Sequence, residues 1–185
     1  MDTMEAILSR RSIRRYMPDP LPEDAIRRVL EAGMAAPSAG DERPWHFVVI
    51  TDKGMLAAIP GFHSLSRFVP NAAAAILVCA DLSLSKYPPA DYWVQDCSAA
   101  TQNILLAAHA DGLGAVWLGV HPVKTRIDGF RALCRLPDTV VPFSLVSLGI
   151  PAVRKEKDHR FDPSRIHRDR WTPPEDTSAG DGETT

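Results

Sequence analysis

Apolar residues recur at helical spacing early in the chain and in strand-like runs further on. Met4, Ile7 and Leu8 form the inner face of a short helix that Asp2 and Thr3 can cap. A second helix is predicted over "LPEDAIRRVLEAG". Pro22 marks its start, Glu23 and Asp24 occupy the first turn, and Ile26, Val29 and Leu30 make the apolar stripe. The turn formers of "APSAGDERP" end that pattern, and "WHFVVIT", residues 45–51, reads as a strand. The run "NAAAAILVCAD", residues 71–81, is ambiguous. Alanine favours helix, but the bounding Pro70 and Asp81 and the "ILVC" core favour a buried strand, the reading taken here. "LSLSKYPPAD" is a loop. The longest helix runs from Tyr92 to about Asp111, with Gly112 as its cap. "GAVWLGV" is a short strand, residues 123–133 a helix, and "VPFSLVSLGI" a further strand. Alternation of helices and strands by itself suggests an α/β class.

The long helix is thin on its inner face, where Ala99, Ala100, Ala107, Ala108 and Ala110 stand. Small residues allow close approach of neighbours, so this helix is expected to be sandwiched. Residues 172–185, "TPPEDTSAGDGETT", form an acidic tail with no large apolar side chain and are expected to be disordered. That leaves residues 1–171 as a single domain, and no internal repeat divides them.

Composition narrows the function. The formal net charge of the 185 residues is -2, so no global field favours nucleic acid, and anion recognition must be local. Cys79, Cys97 and Cys134 lie far apart among apolar residues, which fits buried free thiols in a reducing cytoplasm. The opening "MDTMEAILSR" is too polar for a secretory leader, and the most apolar run, residues 72–80, is too short to cross a bilayer. The six histidines are scattered, and no metal site is expected. G-x-G-x-x-G, G-x-S-x-G, P-loop and H-E-x-x-H patterns are absent.

Against that background, "RRSIRRY", residues 10–16, concentrates four arginines and a serine near the start. It suits a solvated turn at a helix end, where cations meet the negative pole. It suits equally an anion site, because guanidinium forks match phosphate oxygens and a hydroxyl adds a neutral donor. "PSAGDERPWHF" lets backbone approach a flat ligand, or merely joins helix to strand. "GLGAVWLGV" ends in Gly119, where an amide could face a ligand. "HRFDPSRIHRDRW" is a basic tail, or returns Arg160 to an anion already held by the N-terminal cluster.

The order and spacing of these segments, with "QNILLAAHADGLGAVWLGV" and "SLGIP" between them, resemble the FMN-dependent nitroreductase family from the N-terminus to Trp171. The resemblance implies an α+β fold with a mostly antiparallel sheet flanked by helices. It also implies an intertwined homodimer with FMN at the subunit interface, and the alanine-rich helix at the dimer core. Arg10 and Ser12 would then hold the FMN phosphate, with Arg160 completing the site and Arg11 beside the ribityl chain. Arg14 would lie at the N1/O2 edge, where a fixed cation stabilises reduced flavin and raises its potential. Pro37, Ser38 and Ala39 would approach from the partner, and Leu118, Gly119 and Val120 would line the flavin. The Gly119 and Val120 amides would sit near N5 and O4. The implied chemistry is ping-pong. NADH or NADPH gives hydride to N5, and a small-molecule acceptor such as a nitroaromatic, a quinone or a free flavin then takes it. No side-chain nucleophile is demanded.

Three departures from the family pattern stand out. Asp41 and Arg43 occupy places that usually hold an amide pair, and pairing between them would neutralise the acid. Arg67 or Asn71 would have to replace a lysine that some relatives place by the pyrimidine ring. The segment after residue 81 is short, leaving Tyr87, Tyr92 and Trp93 to touch substrate or simply to pack at the surface. Two readings compete with a reductase. One is a flavin-binding specialist of the same fold, dehalogenase-like, flavin-fragmenting or a non-catalytic carrier. The other is an anion-binding interaction module.

Overall fold

A computed structural model describes residues 1–86, 91–153, 155–156 and 159–171. Tyr87 and the tail at residues 172–185 fall outside them. Strands β1 (Trp45–Ile50), β2 (Ala74–Asp81), β3 (Gly114–Gly119) and β4 (Val140–Gly149) form one sheet in the order β1-β2-β4-β3. Every neighbouring pair is antiparallel. This corrects the α/β class that alternation suggested and agrees with the α+β fold that the resemblance implied.

Helices cover both faces of the sheet. On one side lie α2 (Glu23–Met34) and α4 (Tyr92–Ala110), whose Val29, Ile104 and Ala108 meet Trp45, Ile76, Val78 and Leu148. On the other lie α3 (Lys53–Ala58) and α5 (Lys124–Cys134), where Leu56 and Phe130 meet Ile50, Leu77 and Leu145. The side chains of β2 alternate between these two cores. Both faces of the strand are therefore dry, which is why its sequence is continuously apolar rather than alternating.

Helix α4 ends in a complete Schellman motif. Leu113 N–H donates to Ala108 O at 2.8 Å and Gly112 N–H to His109 O at 3.0 Å. Gly112 takes φ +77°, which a glycine adopts without steric cost. α4 packs against both α2 and the sheet, and the tightest approach uses a glycine of α2. A Cβ on Gly33 would stand 2.9 Å from Ile104 Cγ1. Ala100 and Ala108 are buried as expected, while Ala110 is exposed.

The first helix, α1 (Thr3–Ser9), departs from expectation. Asp2 caps it, accepting from Met4 N–H at 2.9 Å. Its anchor, however, is the small Ala6. Met4, Ile7 and Leu8, the expected inner face, are 59%, 46% and 58% exposed in the single chain. Helix α3 and the single turns that follow it through Asn71 were not read from the sequence. Cys79 and Cys97 are buried free thiols; Cys134 is only half-buried. Burial pushes the Cys79 thiol up to about 12. No helix among the described residues is long and apolar enough to cross a membrane.

Candidate functional site

The arginine segment runs in extended form along the free edge of β3. Ser12 bridges Ala115 in parallel, and Ile13 N–H donates to Ala115 O at 3.0 Å. Further on, Met17 N–H donates to Ile150 O at 2.8 Å, and Ala152 N–H to Arg15 O at 3.0 Å. Two side chains pin the segment. Ile13 is buried against Gly114, where a Cβ would come within 2.8 Å of Ile13 Cγ2. The Tyr16 ring lies on Gly149, and its hydroxyl stands 2.7 Å from Ser147 Oγ. Burial pushes that phenol up to about 12.

With Ile13 and Tyr16 facing inward, the polar groups are left outside. Arg10, half-buried at the end of α1, lies close enough to Arg11 and Arg160 to feel both. Burial first, then the charges of Arg160 and Arg11, hold its guanidinium below the usual range. The structure thus brings Arg160, 150 positions away, to the arginine cluster. Like charges this close favour an anion beside them. Arg11 is also engaged on backbone, donating to Glu156 O at 3.0 Å, Leu8 O at 3.1 Å and Arg10 O at 2.8 Å. Arg14 stands four residues further along, about 13 Å for extended chain. Its guanidinium lies 6.0 Å from the centroid of the Phe68 ring.

Arg14 opens onto a cavity of about 310 Å³ whose wall includes His63, Phe68, Trp117, Gly119 and Arg126. Gly119 lies at its rim, exposed, and a Cβ there would meet nothing within 4 Å. Strand β3 is the edge of the sheet, so alternate residues direct their polar groups away from β4. The Ala115 carbonyl takes Ile13, and the Gly119 carbonyl takes His63 and Arg126, so Ala115, Trp117 and Gly119 are the outward set. The Gly119 amide accordingly points to the free edge. The Val120 amide does not: it donates to Phe143 O at 3.1 Å, as does His121 N–H at 2.9 Å. The expectation that Val120 N–H faces a ligand is corrected, because the ladder to β4 extends one residue past β3 and uses that donor. Leu118 is buried beneath the cavity.

Pro37, Ser38 and Ala39 lie on the surface near the opposite core, with Pro37 exposed. Buried Asp96 of α4 holds this loop, its Oδ1 accepting from Ala39 N–H at 2.9 Å. Burial raises the Asp96 carboxyl, and Glu42 adds to the rise. Ser38 Oγ accepts from Arg43 N–H at 3.0 Å. Arg43 forks onto Asp41 at 2.7 and 2.9 Å, the neutralising pair that the sequence left conditional. Asp41 and Arg43 hold positive φ, which is strained for residues with a side chain, whereas Gly40 beside them adopts it without steric cost.

Of the candidate substrate contacts, Tyr92 is exposed. Trp93 is turned into the core, with its ring edge-on to His121 and Phe143. Asn71 lies beside Arg14 and Lys53 in a second cavity of about 530 Å³, while Arg67 is exposed outside it. No cluster of metal-ligating side chains occurs among the described residues. His63, Asp96, Arg126 and Lys53 were not singled out from the sequence. No motif joins His63 or Arg126 to Gly119; only the fold brings them together.

An antiparallel sheet with an arginine-lined edge segment defines a class, and comparison with known proteins agrees. The sequence profile of the nitroreductase family matches residues 7–60 and 63–150. A Methanothermobacter thermautotrophicus protein, provisionally named NADH dehydrogenase/NAD(P)H nitroreductase, is 52% identical over 171 residues, covering 92% of this chain and 88% of its own. A crystal structure of a Parabacteroides distasonis protein with the same provisional name superposes with TM-score 0.87 at 38% identity, covering 91% and 98% of the two chains. A provisionally named Desulfovibrio desulfuricans nitroreductase, solved in complex with FMN, superposes with TM-score 0.78 at 30% identity over 93% and 99%. The chain belongs to the nitroreductase family and is an oxidoreductase.

Proposed function

We propose that this protein holds FMN along the extended arginine segment and is an NAD(P)H oxidoreductase that serves nitroaromatic, quinone or flavin-type acceptors in two alternating half-reactions. The observation that carries the reading is that Arg11 and exposed Arg160 both lie near half-buried Arg10, with Arg14 a separate cation further along. Two cationic positions on one extended strand suit a ligand with a phosphate at one end and an electron-rich ring edge at the other. The FMN-bound and NAD(P)H-named relatives support the cofactor and the donor.

The residues fit the group. Arg10, Ser12 and Arg160 would take the phosphate, and Arg14 would supply positive charge at the ring edge. Gly119 leaves open space where a side chain would obstruct a flat ring. When bound, the flavin supplies the hydride chemistry, so the chain needs no nucleophile of its own. What its residues do is neutralise charge, hold the ring and leave one face accessible. Pro37, Ser38 and Ala39, fixed by Asp96, would meet the flavin of a second protomer in a homodimer. Residues 1–171 would carry all of these parts.

The test is the visible spectrum of the purified protein, followed anaerobically with NADH and then NADPH. A yellow protein that bleaches with a nucleotide and recovers its colour with a quinone or nitroaromatic is expected. Yellow protein that neither nucleotide bleaches would overturn the reductase reading in favour of a same-fold specialist or carrier. Colourless protein that takes up no added FMN would overturn the flavin reading altogether.

A further inference from the structure

We infer that His109 is a positioning residue for the arginine cluster, tying the end of α1 from which Arg10 springs to the last turn of α4. The inference rests on the reading that Arg10 takes the phosphate of FMN. Ser9 closes α1, and His109 lies in the last turn of α4. Ser9 Oγ stands 2.6 Å from Glu5 O and 2.7 Å from His109 Nε2. The hydroxyl has one proton and a carbonyl only accepts, so that proton goes to Glu5 O. His109 Nε2 must then carry a hydrogen and donate it to Ser9. Burial first, then the charges of Arg10 and Arg11, hold the His109 imidazole below its usual range, with Glu5 opposing them. The half-buried ring is therefore close enough to feel both arginines, and it keeps its Nε2 donor whether or not Nδ1 is protonated.

The need for a tether follows from local structure. Seven residues make a helix that is marginal by itself. In the single chain Ala6 is its buried residue. Arg10 caps that helix, its N–H donating to Ala6 O at 3.1 Å, and the chain leaves it in extended form. Whatever orients the last turn of α1 therefore orients the root of Arg10 and, one residue on, that of Arg11. Arg11 secures the same turn, donating to Leu8 O at 3.1 Å. The Ser9–His109 bond secures it to α4, a 19-residue helix packed against α2 and the sheet. Side chains that become ordered only on binding subtract from affinity, so a phosphate is held best by guanidinium groups already in place. The flavin ring does not draw on that order, because on the same reading it meets Arg14 and Gly119 further along.

The test titrates flavin-free protein with FMN and with riboflavin at about pH 8, where the imidazole is neutral. The chains are wild type, His109→Leu, His109→Gln, Ser9→Ala and the double variant Ser9→Ala with His109→Leu. Gln can place an N–H near the position of Nε2; Leu has none. His109→Leu is expected to weaken FMN about three- to tenfold, a hydrogen bond's worth, and to leave riboflavin unchanged. Ser9→Ala should do the same, and the double variant should lose no more than the larger single loss. His109→Gln should restore most of the affinity. An unchanged FMN-to-riboflavin ratio in both His109→Leu and Ser9→Ala would overturn the inference. So would equal losses in His109→Leu and His109→Gln, or single losses that simply add in the double variant. Wild type that binds both flavins equally would remove the phosphate reading and with it the role given to His109 in binding. Amide exchange at Arg10 in flavin-free protein judges the tether separately. Faster exchange in His109→Leu, restored in His109→Gln, upholds the tether. Unchanged exchange refutes it whatever the flavin does.

Discussion

Replacing Arg10 by Ala probes the arginine cluster most directly. Arg10 is half-buried, and its charge is opposed by Arg160 and Arg11. A phosphate placed there gains charge-assisted hydrogen bonds from the guanidinium. Bonds to charged groups contribute about 1.5–3 kcal/mol. Two effects act against that gain. Arg160 and Ser12 remain to bind the anion, and removing Arg10 relieves repulsion in the free protein. The expected net loss is about ten- to a hundredfold in FMN affinity, at tenfold per 1.4 kcal/mol. Riboflavin, which has the same ring and no phosphate, should lose almost nothing. The assay is quenching of flavin fluorescence during titration of flavin-free protein, at fixed ionic strength because exposed Arg160 is screened by salt. The discriminating quantity is the FMN-to-riboflavin ratio. If Arg10→Ala weakens both flavins equally, Arg10 is not a phosphate ligand and the substitution acts through the fold. If neither affinity changes, the cluster has no part in flavin binding.

Arg14→Ala should weaken FMN and riboflavin alike and lower the flavin reduction potential; an unchanged potential in a loaded variant would remove Arg14 from the ring edge. Asp96→Ala should cost about 1–3 kcal/mol in urea unfolding by stranding the Ala39 amide, and Asp96→Asn, which keeps an acceptor, should lose less. Because burial raises the Asp96 carboxyl, the folded chain binds that proton more tightly than the unfolded chain. Its contribution to stability is full below about pH 3.9 and falls as pH rises through the folded value. Wild type minus Asp96→Asn should therefore decline with rising pH; a rising difference would contradict the burial. Gly129→Ala places a Cβ against the Phe62 ring, which already packs edge-on to Phe130 at 4.9 Å. Overpacking of about 1–3 kcal/mol exceeds the helix-propensity gain of about 1 kcal/mol, so the melting temperature should drop by several degrees. Adding Phe62→Ala should recover part of that loss relative to additivity.

The elements legible in the sequence were those whose pattern matched their environment. The α2 stripe of Ile26, Val29 and Leu30 and the buried run of β2 each lie where the periodicity placed them. Helix α3 was overlooked although its signals are present: Asp52 caps it, accepting from Met55 N–H at 2.8 Å, and Leu56 and Ile59 are its buried side. Six residues give less than two turns, too short for a period to register. The α1 stripe was visible but wrongly assigned. Met4, Ile7 and Leu8 do share a face, but periodicity reports only that a face is apolar, not what covers it.

The site was legible to a different depth at each of its parts. Arg10 and Arg14 could be read because four arginines in seven residues are conspicuous, but the fold had to bring Arg160 to them. Ile13 and Tyr16 look incidental in "RRSIRRY". They are what turn the charges outward, one against Gly114 and the other against Gly149. At Gly119 the sequence offered only a missing side chain. Its carbonyl is held by a histidine 56 positions earlier and an arginine seven positions later. A backbone atom leaves no trace of its own partners in the amino-acid code, so such a contact can be read only from the fold. The same reasoning explains the error at Val120. Two adjacent amides at a strand end look equivalent in sequence, but alternation in an edge strand sends one to the open side and the other to Phe143. Of these two amides, a ligand at this edge therefore meets that of Gly119 and not that of Val120.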